Sequence, residues 1–224
     1  EFRRVLFRSW VCGSRDYGIT VLGDELFDAS DFVPPGVSRR AHWYDLCECR
    51  SCGHTWTATD HPSWLTTRAH EFVRYKEPTE HFPEIRALIE AHGIDVDAAS
   101  IHTFSYKDQP LLDFLRPGTR PGPDIAGLTR DWEGDAATRR GRLAVLRDEL
   151  ARSHAGHRIV LMRRILEHVA SRTLFEEILG LVDDRTSLVF DMADFPALSR
   201  STIDFVWNER RHYWTINDQI GRAH

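Results

Sequence analysis

Four cysteines crowded into the first quarter of the chain, at positions 12, 47, 49 and 52, constrain this sequence more than anything else in it. Cysteines meant for a disulfide scaffold are spread through a small secreted domain, whereas these are absent from everything after residue 52, so a reducing, cytoplasmic setting is the default expectation. Cys49-Arg50-Ser51-Cys52-Gly53 has the form of a metal knuckle. Two residues between the thiols allow both to face one tetrahedral Zn²⁺, and the following glycine lets backbone amides approach sulfur. One such knuckle supplies two ligands. Cys12-Gly13 repeats its ending, and the matching first position, three residues earlier, is Ser9. The expected ligands are therefore Cys12, Cys49 and Cys52, with Cys47 as a substitute or a spare thiol and His54 and His61 in reserve. Unmetallated thiols in a small β module are the bland alternative. A closed set of protein ligands makes such an ion structural.

The two ends have an unusual look. Glu1-Phe2-Arg3-Arg4-Val5-Leu6-Phe7-Arg8-Ser9 resembles the in-frame translation of a sequencing adapter, and Ile220 to His224, with part of the Gln219 codon, resembles its complement. Residues 1–9 and 219–224 are accordingly expected to be foreign, with the break falling on the first ligand of a four-cysteine site. Setting aside Glu1, Arg3, Arg4, Arg8 and Arg222 moves the formal charge from −5 to −8, with 25 basic against 33 acidic residues. That balance, with no basic stripe, argues against nucleic acid as a partner. No apolar run is long enough for a membrane span, and the composition is that of a globular protein.

Along the chain, residues 10–62 read as a small β-rich module with extended runs near Gly18–Leu22 and His42–Leu46. Residues 63–92 read as a helical connector: Trp64, Ala69, Phe72 and Val73, then Phe82, Ile85, Leu88 and Ile89, recur at helical spacing, interrupted by Pro78 and Pro83. Residues 93–218 alternate strand and helix. The strands are expected at Ser100–Phe104, Asp124–Leu128, Arg158–Met162 and Ser187–Asp191, with helices at Pro110–Leu115 and Thr173–Leu181. Leu143–Leu146 fits either a short strand or part of one helix from Ala136 to Ser153. The alternation implies an α/β domain with a mostly parallel sheet covered by helices on both faces.

Three segments in this domain carry a resemblance. Arg163-Arg164-Ile165-Leu166-Glu167-His168 resembles the R-H-x-x-E-H segment of the sugar C-methyltransferase-like family, with Arg164 in place of its first histidine. Ser187 to Asp194 resembles the family's strand ending in Pro-Asp, and Trp207-Asn208-Glu209-Arg210-Arg211-His212-Tyr213-Trp214-Thr215 resembles its W-E-E-R-x-x-Y-F-T segment. That family also begins with a four-cysteine zinc module. The resemblance implies a Rossmann-like sheet, S-adenosylmethionine as cofactor and a small, nucleotide-sugar-like substrate. It assigns His168 as the general base at the carbon to be methylated, Glu167 as the carboxylate beside it, and Glu209 and Tyr213 as pocket residues.

The cofactor contacts it implies fall on Ser105, Lys107 and Asp108 after the first strand and on Thr129 after the next, with Asp131 as a substitute. Here the sequence departs from the family. The glycine-rich turn G-x-N-D-G is replaced by Ser105-Tyr106-Lys107-Asp108-Gln109, which keeps the aspartate and neither glycine. Two readings follow: an S-adenosylmethionine-dependent methyltransferase, or a non-catalytic zinc-bearing binding protein that kept the fold and lost the cofactor turn.

Overall fold

The computed structural model describes residues 8–23, 44–57, 78–104, 106–119, 136–168, 172–192 and 212–213. The chain divides into two units, Glu1–Val73 with Ala193–His224, and Arg74–Met192. Its content is mixed α/β, with an antiparallel sheet in the first unit and a separate parallel sheet of three strands in the second.

In the first unit, β1 (Tyr17–Gly23), β2 (Tyr44–Cys49), β3 (Thr55–Thr57) and β7 (His212–Tyr213) form the sheet in the order β1-β2-β3-β7. Alternation along β2 puts Cys47 and Cys49 on one face, where they pack with Trp56, Tyr17, Cys12 and Cys52, while Glu48 between them is exposed. Trp56 stands opposite Cys47 in the ladder and meets Tyr17 edge-on, ring centroids 5.7 Å apart. β7 completes β3, with Thr55 opposite Tyr213 and Trp56 opposite His212. This departs from the sequence-based division, which gave Trp207–Thr215 to the α/β domain of residues 93–218. A short strand such as β3 has backbone N–H and C=O groups to satisfy on each side, and β7 satisfies one row of them.

In the second unit, α1 (Phe82–Ala91), β4 (Ser100–Thr103), α2 (Gln109–Leu115), α3 (Ala136–Arg152), β5 (Arg158–Arg163), α4 (Arg172–Leu179) and β6 (Thr186–Asp191) follow one another. Single 3-10 turns at Tyr106–Asp108 and Leu166–His168 precede α2 and follow β5. The sheet runs β4-β5-β6, with Ser100 opposite Arg158 and Arg158 opposite Thr186. All six residues of the central strand β5 are buried, as a parallel strand covered on both faces requires, and its apolar run Ile159-Val160-Leu161-Met162 reads that way. Pro83 and Pro110 sit in the first turns of α1 and α2, where a missing N–H costs nothing, so Pro83 begins a helix rather than breaking one.

Phe82 and Ile89 of α1, Leu111, Leu112 and Leu115 of α2, and Ile159 and Leu161 of β5 close one apolar cluster with Val96 and Ala99. The ambiguous stretch at Leu143–Leu146 resolves as helix. Leu143, Leu146 and Leu150 are buried at a three- and four-residue spacing while Val145 is exposed, and α3 runs unbroken through them. The strand expected at Asp124–Leu128 and the connector before residue 78 lie outside the described residues. No described helix is long and apolar enough to cross a membrane.

Candidate metal centre and the carboxyl ends of the parallel sheet

The sulfurs of Cys12, Cys49 and Cys52 lie within 4.8 Å of one another, a group that could hold a metal ion. Cys49 comes from the end of β2, Cys52 from the tight turn between β2 and β3, and Cys12 from the turn ahead of β1. Cys12 Sγ and Cys49 Sγ are 3.5 Å apart and all four thiols are free. Four sulfurs around one ion at a zinc–sulfur distance of about 2.3 Å are separated by about 3.8 Å, so this spacing fits a shared ion. Burial opposes ionisation of the Cys12 thiol, yet hydrogen bonds from the Ser14 amide, Ser9 and the other two cysteines lower its pKa to about 7. The thiolate is the form in which a cysteine can hold a metal ion.

The reserve ligands behave differently. Cys47 is fully buried beside Trp56, and burial, with the charge of Asp45, pushes its pKa up to about 12, which makes it a packed, protonated thiol. His54 turns away from the sulfurs to His212, with Nε2 and Nδ1 3.2 Å apart. Both rings are buried, and burial lowers the pKa of His54 to about 4. His212 also packs on Trp10, centroids 4.0 Å apart, so β7 is fixed to the turn that carries Cys12. This histidine pair was not legible in the sequence. His61 lies outside the described residues.

In the second unit, charged groups collect at the carboxyl ends of β4, β5 and β6. Asp108, expected to face a cofactor, is fully buried, and its two carboxylate oxygens accept hydrogen bonds from the backbone amides of Phe104 (2.7 Å) and Arg163 (2.6 Å). It ties the end of β4 to the end of β5. In this structure each of its oxygens serves the backbone where the two strands end. Lys107, the second described residue of that turn, gives its carbonyl to Arg163 Nη1 at 2.9 Å. Ser105, Thr129 and Asp131 lie outside the described residues. The described part of the turn is a 3-10 turn running directly into α2, not an open glycine cradle.

Arg163 itself is 1% exposed. Its Nε donates to Asp191 Oδ2 at 2.7 Å, its Nη2 reaches the Pro78 carbonyl at 3.4 Å, and the guanidinium lies 4.7 Å from the Phe82 ring centroid. His81 Nε2 lies 3.1 Å from the same Asp191 oxygen. Burial works against ionisation of Asp191, but the hydrogen bonds from Arg163 and His81 outweigh it and hold the carboxyl below its usual range.

Next along the chain, Arg164 takes a left-handed conformation, φ 54°, with its amide bonded to the Asp191 carbonyl at 2.8 Å. This sharp turn returns the chain so that Glu167, 3% exposed, accepts from Arg164 Nη1 at 3.2 Å. His168 is the last residue of the same 3-10 turn, and its side chain lies outside the described residues, as do Glu209 and the side chain of Tyr213. The Arg163–Asp191 pair escaped the sequence reading, although its signal is there: opposite charges close two neighbouring apolar strands at the same end.

A scan of the chain against protein-family models finds no match, and a search of curated proteins finds none either.

Proposed function

We propose that the chain binds zinc through Cys12, Cys49 and Cys52, and that the ion is a structural staple of the antiparallel unit. The observation that carries this reading is the convergence of three sulfurs from three separate points of the backbone. Zinc suits such a donor set because thiolates are soft and the ion imposes no geometry beyond the tetrahedron. Among the described residues the cluster beside the sulfurs is small, Cys47, Cys49 and Trp56, and an enclosed ion would add to what holds it together. Zinc content of the purified chain by atomic emission tests this: one equivalent per chain is expected, removable by chelator, and a folded chain that takes up no zinc in titration sinks it.

For the second unit the closed turn favours the reading of a non-catalytic, zinc-bearing binding protein. Asp108 and the Lys107 carbonyl are engaged by the protein itself, so the described residues do not supply a cradle for S-adenosylmethionine. A specific observation keeps methyl transfer as the second reading. Glu167 is buried in a turn that leaves the carboxyl end of the central strand, where open α/β sheets bind their ligands, and a strained Arg164 precedes it. In that reading His168 takes the proton from the carbon of a small, sugar-like substrate and Glu167 orients it. S-adenosylmethionine would supply the methyl group. Calorimetric titration of S-adenosylmethionine separates the two: saturable binding that His168→Ala leaves intact while abolishing methyl transfer supports the enzyme, and absence of heat from a folded, zinc-loaded chain supports the non-catalytic protein.

A further inference from the structure

The two turns that carry the sulfurs repeat one another bond for bond. In the second, the Cys49 amide donates to the His54 carbonyl at 2.9 Å, the Gly53 amide returns to the Cys49 carbonyl at 2.8 Å, and the His54 amide donates to the Cys52 sulfur. In the first, the Ser9 amide donates to the Ser14 carbonyl at 3.0 Å, the Gly13 amide returns to the Ser9 carbonyl at 2.8 Å, and the Ser14 amide donates to the Cys12 sulfur. Gly53 and Gly13 take the same left-handed conformation, φ 80° and 72°. Residue 9 thus occupies in the first turn the place that Cys49 occupies in the second. Its side chain is where that equivalence demands: Ser9 is fully buried, and its hydroxyl lies 3.4 Å from Cys52 Sγ and 3.4 Å from the Cys12 amide.

We propose that residue 9 is the fourth ligand position of the metal centre, and that Ser9 fills it with a hydroxyl, so that the ion is held by three thiolates and one oxygen. This rests on the metal reading above. A neutral hydroxyl is a harder and weaker donor toward zinc than a thiolate, so the backbone of the site is built for four strong ligands and the side chains deliver three. Metal affinity, not the fold of the turns, carries the difference.

The test uses the full chain in three forms, unaltered, Ser9→Cys and Ser9→Ala, loaded with Co²⁺ as a visible stand-in for Zn²⁺ and compared in zinc affinity by competition with a chromophoric chelator. Circular dichroism checks that each is folded. Thiolate-to-cobalt absorbance in the unaltered chain should be about three quarters of that in Ser9→Cys, in proportion to the sulfur count. Zinc affinity should rise at least about tenfold in Ser9→Cys and not at all in Ser9→Ala. X-ray absorption on the zinc-loaded unaltered chain, which needs no variant to fold, should count three sulfurs and one oxygen. Four sulfurs there, or equal absorbance and affinity in the Ser9 and Cys forms, would overturn the assignment of residue 9 while leaving a cysteine-bound ion intact. No uptake of either metal by any folded form overturns the metal reading beneath it.

Discussion

The two units treat their buried polar groups in opposite ways. Among the described residues at the ends of the parallel strands, buried charged groups meet protein partners: Asp108 holds two amides, Arg163 meets Asp191, and Glu167 meets Arg164. In the antiparallel unit three thiols converge mainly on each other and on a serine hydroxyl, and thiols are weak hydrogen-bond partners. The first arrangement is complete in itself, and the second is a set of donors facing inward on one point. The charged cluster ties strand ends together, whereas three sulfurs gathered on one point could hold a metal ion.

The largest effect should follow from breaking the inward-facing set. Cys49→Ala removes one ligand and part of the small core around Trp56, and structural zinc contributes about 10 kcal/mol or more to folding in comparable small modules. Six of the seven tryptophans, all but Trp132, fall in Glu1–Val73 or Ala193–His224, so their fluorescence reports on that unit. The expected result is loss of zinc and an unfolded-like emission spectrum with the helical dichroism of α1 to α4 retained. Loss of both signals together would mean that the units do not fold separately.

A smaller effect is expected where the protein satisfies itself. Asp191→Asn leaves the Arg163 guanidinium buried without its counter-charge, and breaking a buried pair from one side costs about 3–5 kcal/mol. Urea denaturation followed by helical dichroism should show that loss with zinc content unchanged. Replacing both partners, Arg163→Met with Asp191→Leu, should recover most of it, because apolar groups of similar volume need no desolvation offset. If the double variant is as unstable as the single, the pair is held by more than its mutual charge. The acid limb follows from the same pair. Because folding lowers the Asp191 carboxyl, its contribution is complete above the ordinary carboxylate pKa of about 3.9 and fades as pH falls through the lower folded value. The Asp191→Asn chain should lose that dependence.

What the sequence disclosed follows the range of the interactions involved. β5 and the knuckle at Cys49–Gly53 are local patterns, an apolar run and a fixed spacing, and both were legible. The position of Ser9 was legible by analogy with that knuckle, because turn geometry is set within six residues. The pairing of β7 with β3 was not, since nothing local tells His212 to meet His54, 158 residues away. Asp108 shows a third case. Its place in a turn without glycines was visible, but its bonds to the Phe104 and Arg163 amides were not, because they depend on where two strands separated in sequence end.

The smallest expected effect concerns His102, on β4 of the self-satisfied unit. Its Nε2 lies 3.1 Å from Ser100 Oγ, and Glu149 Oε2 on α3 is 3.9 Å from its Nδ1. That carboxylate favours a charged imidazole, but burial and then the positive charge of Arg158 work against it, and the net shift is downward. The neutral ring is therefore the folded form. Stability from keeping it neutral is complete above the unfolded value of about 6.5 and declines as pH falls below it toward the folded pKa. Between pH 7 and 5 the unaltered chain should lose stability in the parallel-sheet unit, and His102→Gln, which keeps a polar group near Ser100 without a titrating proton, should flatten that slope. A steeper slope in the variant would mean that the Glu149 contact outweighs burial and that His102 is charged in the folded protein.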